Sequence, residues 1–326
     1  MTDTLTIERT GGPADANPPA PQAVRKKKSE RPVWEEPPTI AGEAAKGITL
    51  GGVLLIMLVP LWIIVVTSLS TQGAVNRAGG LVLWPDGISF EAYRVMLSDS
   101  TVRNALLVSL GITAVGTVVS LAISVMCAYG LSRSRSLGHR FILTLLIITM
   151  FVNGGLIPTF LVVTGLGGYG QWWALILPSA VSVFNILILR AFYSSTSLDL
   201  IEAARIDGAG DWRILWSIVL PTSRAVTAVM ALFYGVGYWN SFFNVMLYMP
   251  TDSEKWPLQY VLLTYVNRGN GLPGTVNGGF GDQFSQTAPL SLQMAVVVLT
   301  LIPLLIVYPF VQKHFRTGVL TGAIKG

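Results

Sequence analysis

Charge is scarce in this chain. Only 12% of its 326 residues are Asp, Glu, Lys or Arg, about half the share of a soluble domain. Not one charged residue lies between Arg140 and Arg190. Most of the surface therefore does not face water, and the mean hydropathy is +0.58. Cysteine is almost absent. Cys127 stands alone in an apolar run, which excludes a disulfide framework and a multi-cysteine metal site and leaves it as small core filler. The two histidines, His139 and His314, lie far apart in basic flanks with no ligand spacing. No G-x-x-x-x-G-K-[ST] run occurs, so the chain has no phosphate loop for a nucleotide. Internal repeats and coiled-coil heptads are also missing.

Long apolar runs are what remain. A bilayer-spanning helix needs about 20 apolar residues. Residues 48–70 and 104–132 supply two. As one helix, the charge-free stretch from Arg140 to Arg190 would extend ~74 Å at about 1.5 Å per residue, more than twice a hydrocarbon core of roughly 30 Å. It must fold back, and the glycines at 165, 167, 168 and 170 supply the turn. Spans are expected near 141–163 and 172–190, then 225–248 and 289–311. An all-α integral membrane protein with six transmembrane helices follows.

Six spans put both termini on one side, and the Lys/Arg bias says which. The N-terminal tail holds seven, the 2–3 loop three, the 4–5 loop four and the C-terminal tail three, against five on the other side. N and C termini and the 4–5 loop are expected in the cytoplasm. This distribution accounts for the net charge of +5 as membrane topology and removes the reason to invoke nucleic acid. The chain divides into a disordered cytoplasmic tail at 1–46, too poor in large apolar residues to order, whose Arg25–Lys28 run next to the membrane favours anionic lipid. A first span and external segment follow at 47–103, with a short interfacial helix near Ser89 to Leu97. The core runs from 104 to 312 and contains a cytoplasmic loop at 197–221. A cytoplasmic C-terminal tail covers 313–326. The external loop at 249–288 is too polar to span and long enough to meet an external partner.

The 197–221 loop carries the strongest local signal. Leu198, Ile201 and Arg205 share one helical face, with Thr196 or Ser197 as cap and Asp199 in the first turn. Ala203 and Ala204 are small enough for another backbone to approach, and Glu202 offers a carboxylate. Asp207-Gly208 is a turn pair in which Gly208 adopts positive φ at little cost. Asp211 is expected to cap a second helix with an apolar face of Trp212, Leu215, Trp216 and Val219, ended by Pro221. Glu202-Ala203-Ala204, Gly208 and Ile218-x-Leu220-Pro221 read E-A-A-x3-G-x9-I-x-L-P. Seven fixed positions match at random on the order of 10⁻⁸ per start site.

This string resembles the EAA signature of permease subunits in bacterial and archaeal ABC importers. From about residue 104 to the end the chain is similar to carbohydrate-uptake permeases of the maltose type. Gly154 to Thr159, Trp173 to Pro178, Tyr238 to Asn244 and Tyr308 to Phe315 followed by Gly318, Val319 and Gly322 carry that likeness, which is nearest to the subgroup for complex, often acidic oligosaccharides. The resemblance implies a type I ABC importer permease fold and a transport subunit that is not an enzyme. It implies a second homologous permease subunit, two ATPase subunits that bind the ATP, and an extracytoplasmic solute-binding protein. Glu202, Ala203, Ala204, Asp207 and Gly208 would grip the ATPase, and the tail from Lys313 would reach the same interface. Import as the direction rests on this resemblance.

No charged residue falls within the six apolar cores, which disfavours the rival class of ion-coupled secondary transporter; a non-transporting membrane scaffold is the other rival. Buried amides are the polar groups left. Asn240 and Asn244 are spaced i, i+4 on the fifth span beside Gly237, and Trp239 and Phe243 form an adjacent stripe. Amides bind sugar hydroxyls and aromatic faces stack on sugar C–H surfaces, so these four are candidates for a solute path. Helix–helix hydrogen bonding and interfacial anchoring explain the same residues equally well. Asn153 and Asn185 are weaker candidates. Gly154-Gly155 and Pro158 predict a kink in the third span, with a gate hinge as the sharper alternative.

Overall fold

The structure is a computed structural model that describes residues 39–133, 138–152, 154–195, 198–268 and 289–323. Among the described residues every regular element is a helix. The chain divides into two compact units, Met1–Leu55 and Ile56–Gly326. The described part of the first is the beginning of a helix, and the second contains every other element.

Helix α1 spans Ile40–Ser68. It begins inside the segment expected to be a disordered tail, because residues 40–46 contain good helix formers and a first-turn Glu43 that suits the helix dipole. The rest of that tail, 1–38, lies outside the described residues. Two short helices follow, α2 (Gln72–Arg77) and α3 (Glu91–Ser98); the second is the short helix expected near residue 89. Then comes α4 (Ser100–Ser132), capped by Asp99, whose Oδ1 accepts the Thr101 N–H at 2.7 Å.

The expected third span is broken. Helix α5 (His139–Phe151) and helix α6 (Leu156–Gly165) are bent by 114° to each other. Gly155 sits at φ +85° between them, a conformation that costs other residues. The fourth is also bent: α7 (Trp173–Ile176) runs through a 3₁₀ turn at Leu177–Ser179, then α8 (Val183–Ser194) departs at 53°. Asn153 lies outside the described residues.

Next come α9 (Leu198–Ile206) and α10 (Asp211–Ile214). A wider π-helical turn at Leu215–Val219 joins α10 to α11 (Leu220–Thr222). The element ends at Thr222, one residue past Pro221, and the chain bends by 87° into the next helix, as a proline that lacks an N–H and crowds the preceding turn favours. The preceding turn is widened, with the Leu220 N–H bonded to the carbonyl of Leu215.

The expected fifth span splits into α12 (Arg224–Trp239) and α13 (Phe243–Tyr248). Asn240 closes α12 at φ −86°, ψ 1°, the kind of position where asparagine outcompetes the helical ladder. Helix α14 (Leu258–Arg268) lies in what was expected to be a polar external loop, and α15 (Pro289–Ala323) runs on through the expected C-terminal tail. The remainder of that loop, 269–288, lies outside the described residues. Three helices (α1, α4 and α15) are long and apolar enough to cross a membrane, and three bent pairs raise the number to as many as six.

The second unit has two large apolar cores at opposite ends of α4, besides a small cluster of Val66, Val75 and Val82. One packs Val102, Ala105, Val108 and Ile112 against α3, α7, the end of α12, α13, α14 and α15. The other packs Val125, Ala128 and Leu131 against Ile186, Leu189, Tyr193, Ile214, Leu215, Val219, Val226 and Met230. Between them α4 and α12 approach closely through Gly116, Ser120 and Ser124. A Cβ on Gly116 would lie 2.8 Å from the Tyr238 ring. Such small residues at every fourth position let helices pack without a hydrophobic driving force. Elsewhere the apolar surface is bare: α5 buries none of its residues, and Phe141 and Phe151 are 73% and 79% exposed. Patches of that kind are covered by lipid or by another chain.

Candidate functional site: a knuckle on the second core and a polar cleft

The 198–222 segment folds as two helical arms around a closed turn. At the end of α9 the Gly208 N–H bonds to the carbonyl of Arg205 at 3.0 Å, and the Ala209 N–H to that of Ala204 at 2.9 Å. With Gly208 at φ +79°, this is a Schellman cap. The cap accounts for the spacing of the motif. Ala204 is the residue whose carbonyl the cap closes on, and four positions later only glycine takes the left-handed backbone without cost. Ala204, Ala209 and Ile201 pack against the second core. Glu202, Ala203, Asp207 and Gly208 are exposed. Four of the five residues expected to meet a partner thus project from a rigid knuckle, while Ala204 seats it. The expected caps Thr196 and Ser197 lie outside the described residues.

One expectation for this segment is corrected. Asp211 does not cap α10; Gly210 occupies that position and offers no side chain. The Asp211 carboxylate instead faces Arg133 at 2.5 Å and Arg205 at 3.5 Å. Trp212 and Trp216, expected on the apolar face that lies against the membrane, are both 65% exposed. Ile214 and Ile218 accompany Leu215 and Val219 into the core. Two overlapping stripes share Leu215 and Val219, and compact branched residues fill a dense core better than indole rings. The tryptophans are left at the surface, where an amphipathic ring suits a membrane boundary.

The four residues proposed for a solute path do not share a face, because the helix breaks at Asn240. Trp239 is buried, and its indole N–H donates to the Thr300 carbonyl at 3.1 Å; it ties α12 to α15 and borders the apolar recess between α4, α12 and α15. Asn240 is exposed and receives a weak 3.5 Å bond from Gln259 Nε2. Phe243 is 42% exposed. Asn244 points elsewhere, its Nδ2 donating to Ser179 Oγ at 3.4 Å.

That last contact leads to a cleft of ≈ 340 Å³ where the bend between α7 and α8 meets α12. Ser179, Ser182, Asn185, Tyr234, Tyr238 and Ser241 bring polar groups to it, with Phe233 and Gly237 completing the wall. Its tyrosines are fixed. Tyr234 Oη pairs with Ser124 Oγ at 2.6 Å and accepts the Ser182 N–H at 3.2 Å; Tyr238 Oη pairs with Ser120 Oγ at 2.8 Å and donates to the Ile176 carbonyl at 3.0 Å. No charged side chain lines it. Hydroxyls, an amide and aromatic faces in a charge-free recess suit a polyhydroxylated solute. Of these residues only Asn185 and Gly237 were picked out for the solute path from sequence. The available signal was the i, i+4 match of Tyr234 and Tyr238 with Ser120 and Ser124.

Residues 120–321 match the family described as "Binding-protein-dependent transport system inner membrane component". The chain is 41% identical over 274 residues to the polygalacturonan/rhamnogalacturonan transport system permease protein YtcP of Bacillus subtilis, covering 83% of this chain and 94% of that one. It is 39% identical over 279 residues to Protein LplC of the same organism, covering 85% and 92%. The fold is similar to a chain in the crystal structure of a bacterial ABC transporter involved in the import of the acidic polysaccharide alginate, with TM-score 0.77, 31% identity and coverage of 87% and 100%.

Proposed function

The chain belongs to the family of inner-membrane components of binding-protein-dependent transport systems, and from that premise we propose that it is the sugar-conducting permease half of an importer levered by ATPases at the 202–208 knuckle. It is a multi-pass membrane transport subunit of an ABC importer, not an ATPase. In the proposed topology α1, α4 and α15, the bent pairs α5–α6 and α7–α8, and α12 carried on by α13 each form one crossing, giving six; the 211–222 arm is bent by 87° away from α12 and is left out of the fifth. Both termini and the knuckle then lie in the cytoplasm, as the Lys/Arg bias requires.

One observation carries the coupling role. Glu202, Ala203, Asp207 and Gly208 are exposed on a turn closed by its own hydrogen bonds and seated on the core by Ile201, Ala204 and Ala209. A rigid, seated projection transmits a push; a slack loop would absorb it. ATP bound between two ATPase subunits supplies the push, and the permease responds as a two-state rigid body. The bare apolar face of α5 and an apolar recess of ≈ 500 Å³ between α4, α12 and α15 favour burial against a second permease subunit and lipid. An extracytoplasmic binding protein delivers the solute. The names of the two most informative relatives point to an acidic oligosaccharide, a galacturonate or alginate fragment, and the cleft at Ser182 and Tyr234 is where this chain would meet its hydroxyls.

The test is uptake in proteoliposomes holding the chain with its second permease, ATPases and binding protein. Radiolabelled oligogalacturonate, oligoalginate and a neutral maltodextrin are compared. ATP-dependent accumulation of an acidic oligosaccharide is expected. Accumulation driven by an ion gradient without ATP, or no flux of any sugar, would return the reading to the secondary-transporter or scaffold class.

A further inference from the structure

Helix α4 ends at Ser132 without a glycine cap, and its terminal carbonyls are taken by side chains of α8. Arg190 Nε donates to the Leu131 carbonyl at 2.9 Å, and Ser194 Oγ to that of Ser132 at 3.4 Å. Both donors lie just before the knuckle. Just after the knuckle, Asp211 reaches the same place. Its Oδ1 is 2.5 Å from Arg133, the residue that follows α4. Arg133 lies over the Tyr129 ring at 4.5 Å and donates to its hydroxyl, and that hydroxyl donates to the Asp211 carbonyl at 3.1 Å. The polar triangle is closed. Arg205, on α9 itself, completes it from the other side at 3.5 Å from Asp211.

An isolated surface ion pair contributes little. Arg133 is different: its side chain is only 23% exposed, its plane is held by the ring, and its planar fork addresses two acceptors. The knuckle is therefore wired to α4 through Arg205, Asp211, Arg133 and Tyr129, while among the described residues α8 and α12 are joined to it by the continuity of the chain and by apolar packing. α4 in turn carries both apolar cores and the serines that hold Tyr234 and Tyr238 at the cleft.

We propose that Arg133 is a positioning residue for energy coupling: through Asp211 it latches α4 to the knuckle, so that a push at Glu202–Gly208 moves α4 together with α8 and α12 and reshapes the Tyr234–Tyr238 cleft. This rests on the coupling role proposed above.

The experiment measures oligosaccharide moved per ATP hydrolysed in the full reconstituted complex, with Arg133→Gln, Asp211→Asn, the double variant and Gly208→Val. Each latch variant is expected to lower the ratio by roughly 5-fold or more, the lower bound for an allosteric coupling. The double variant should be no worse than either single, as for two members of one interaction. Arg133→Lys, which keeps the charge but loses the fork and the stacking, should fall between. If Arg133→Gln does not accumulate in the membrane, Arg133→Lys carries the test. An unchanged ratio in the latch variants while Gly208→Val uncouples would overturn the latch alone, as would additive losses in the double variant. An unchanged ratio in Gly208→Val as well would remove the coupling role and the latch together.

Discussion

At the scale of single residues, Gly208 shows how little of a motif is about contact inside its own chain. A Cβ there would meet nothing within 4 Å, yet φ is +79°. Space is not the constraint; backbone handedness is. A β-branched residue in that conformation costs roughly 1–2 kcal/mol, enough to reopen the Schellman cap without unfolding the protein. Gly208→Val is expected to insert normally and to lose most ATP-driven uptake, whereas Gly208→Asn, which tolerates left-handed backbone, should retain much of it. Uptake assays on matched membrane amounts decide this, and equal activity in both variants would contradict the argument. At the cleft, Tyr234→Phe removes one hydroxyl that also accepts the Ser182 N–H. Stability should fall by about 1 kcal/mol and uptake by a larger factor than Asn240→Ala produces. The reverse order would return the solute path to Asn240.

At the scale of elements, the α4–α12 contact is the tightest joint. Gly116→Val would place carbon 2.8 Å from a Tyr238 ring already held by Ser120 and the Ile176 carbonyl. Overpacking of that kind costs about 1–3 kcal/mol. The thermal midpoint in detergent should drop, and Tyr238→Leu should restore part of it. The start of α4 adds a pH dependence. Asp99 is 7% exposed, and burial pushes its carboxyl above the ordinary range despite the Thr101 N–H and nearby Arg103. A raised carboxyl pKa favours the protonated fold, so this contribution is present below the ordinary carboxylate pKa and is lost as pH rises through the elevated one. Asp99→Asn, itself a good cap, should flatten the stability profile on the acid side of neutrality. An unchanged profile would show that Asp99 is not the titrating group.

How much was legible before the structure depended on what kind of rule each element obeys. Positions 202–208 were readable because a helix-ending turn is local: a glycine four positions after the residue whose carbonyl it closes on is enough. The membrane helices were readable as apolar runs, because hydrocarbon demands nothing finer. Their breaks were not all readable. Gly155 announced one; Asn240 did not, since an asparagine caps or continues a helix according to what surrounds it. The buried side of 211–222 was ambiguous because Leu215 and Val219 belong to two stripes, and only packing against Val125 and Leu189 chooses Ile214 and Ile218 over the tryptophans. The Ser–Tyr pairs that build the cleft join residues more than a hundred positions apart; each pair shows an i, i+4 spacing, but only the packing of α4 on α12 brings the two spacings together.

At the scale of the whole molecule, two large apolar cores, a serine–tyrosine seam between them and an exposed knuckle seated on one core are the parts of the proposed lever, with the candidate cleft partway along. The sequence has no phosphate loop for a nucleotide, and in the proposed mechanism the work comes from ATPase subunits through the knuckle. The most direct measurement is sugar accumulation in proteoliposomes containing this chain and its second permease, with and without the ATPase subunits. The account predicts accumulation only when the ATPases and ATP are present, and its loss in Gly208→Val even then. Accumulation of sugar against its gradient without the ATPases would contradict it.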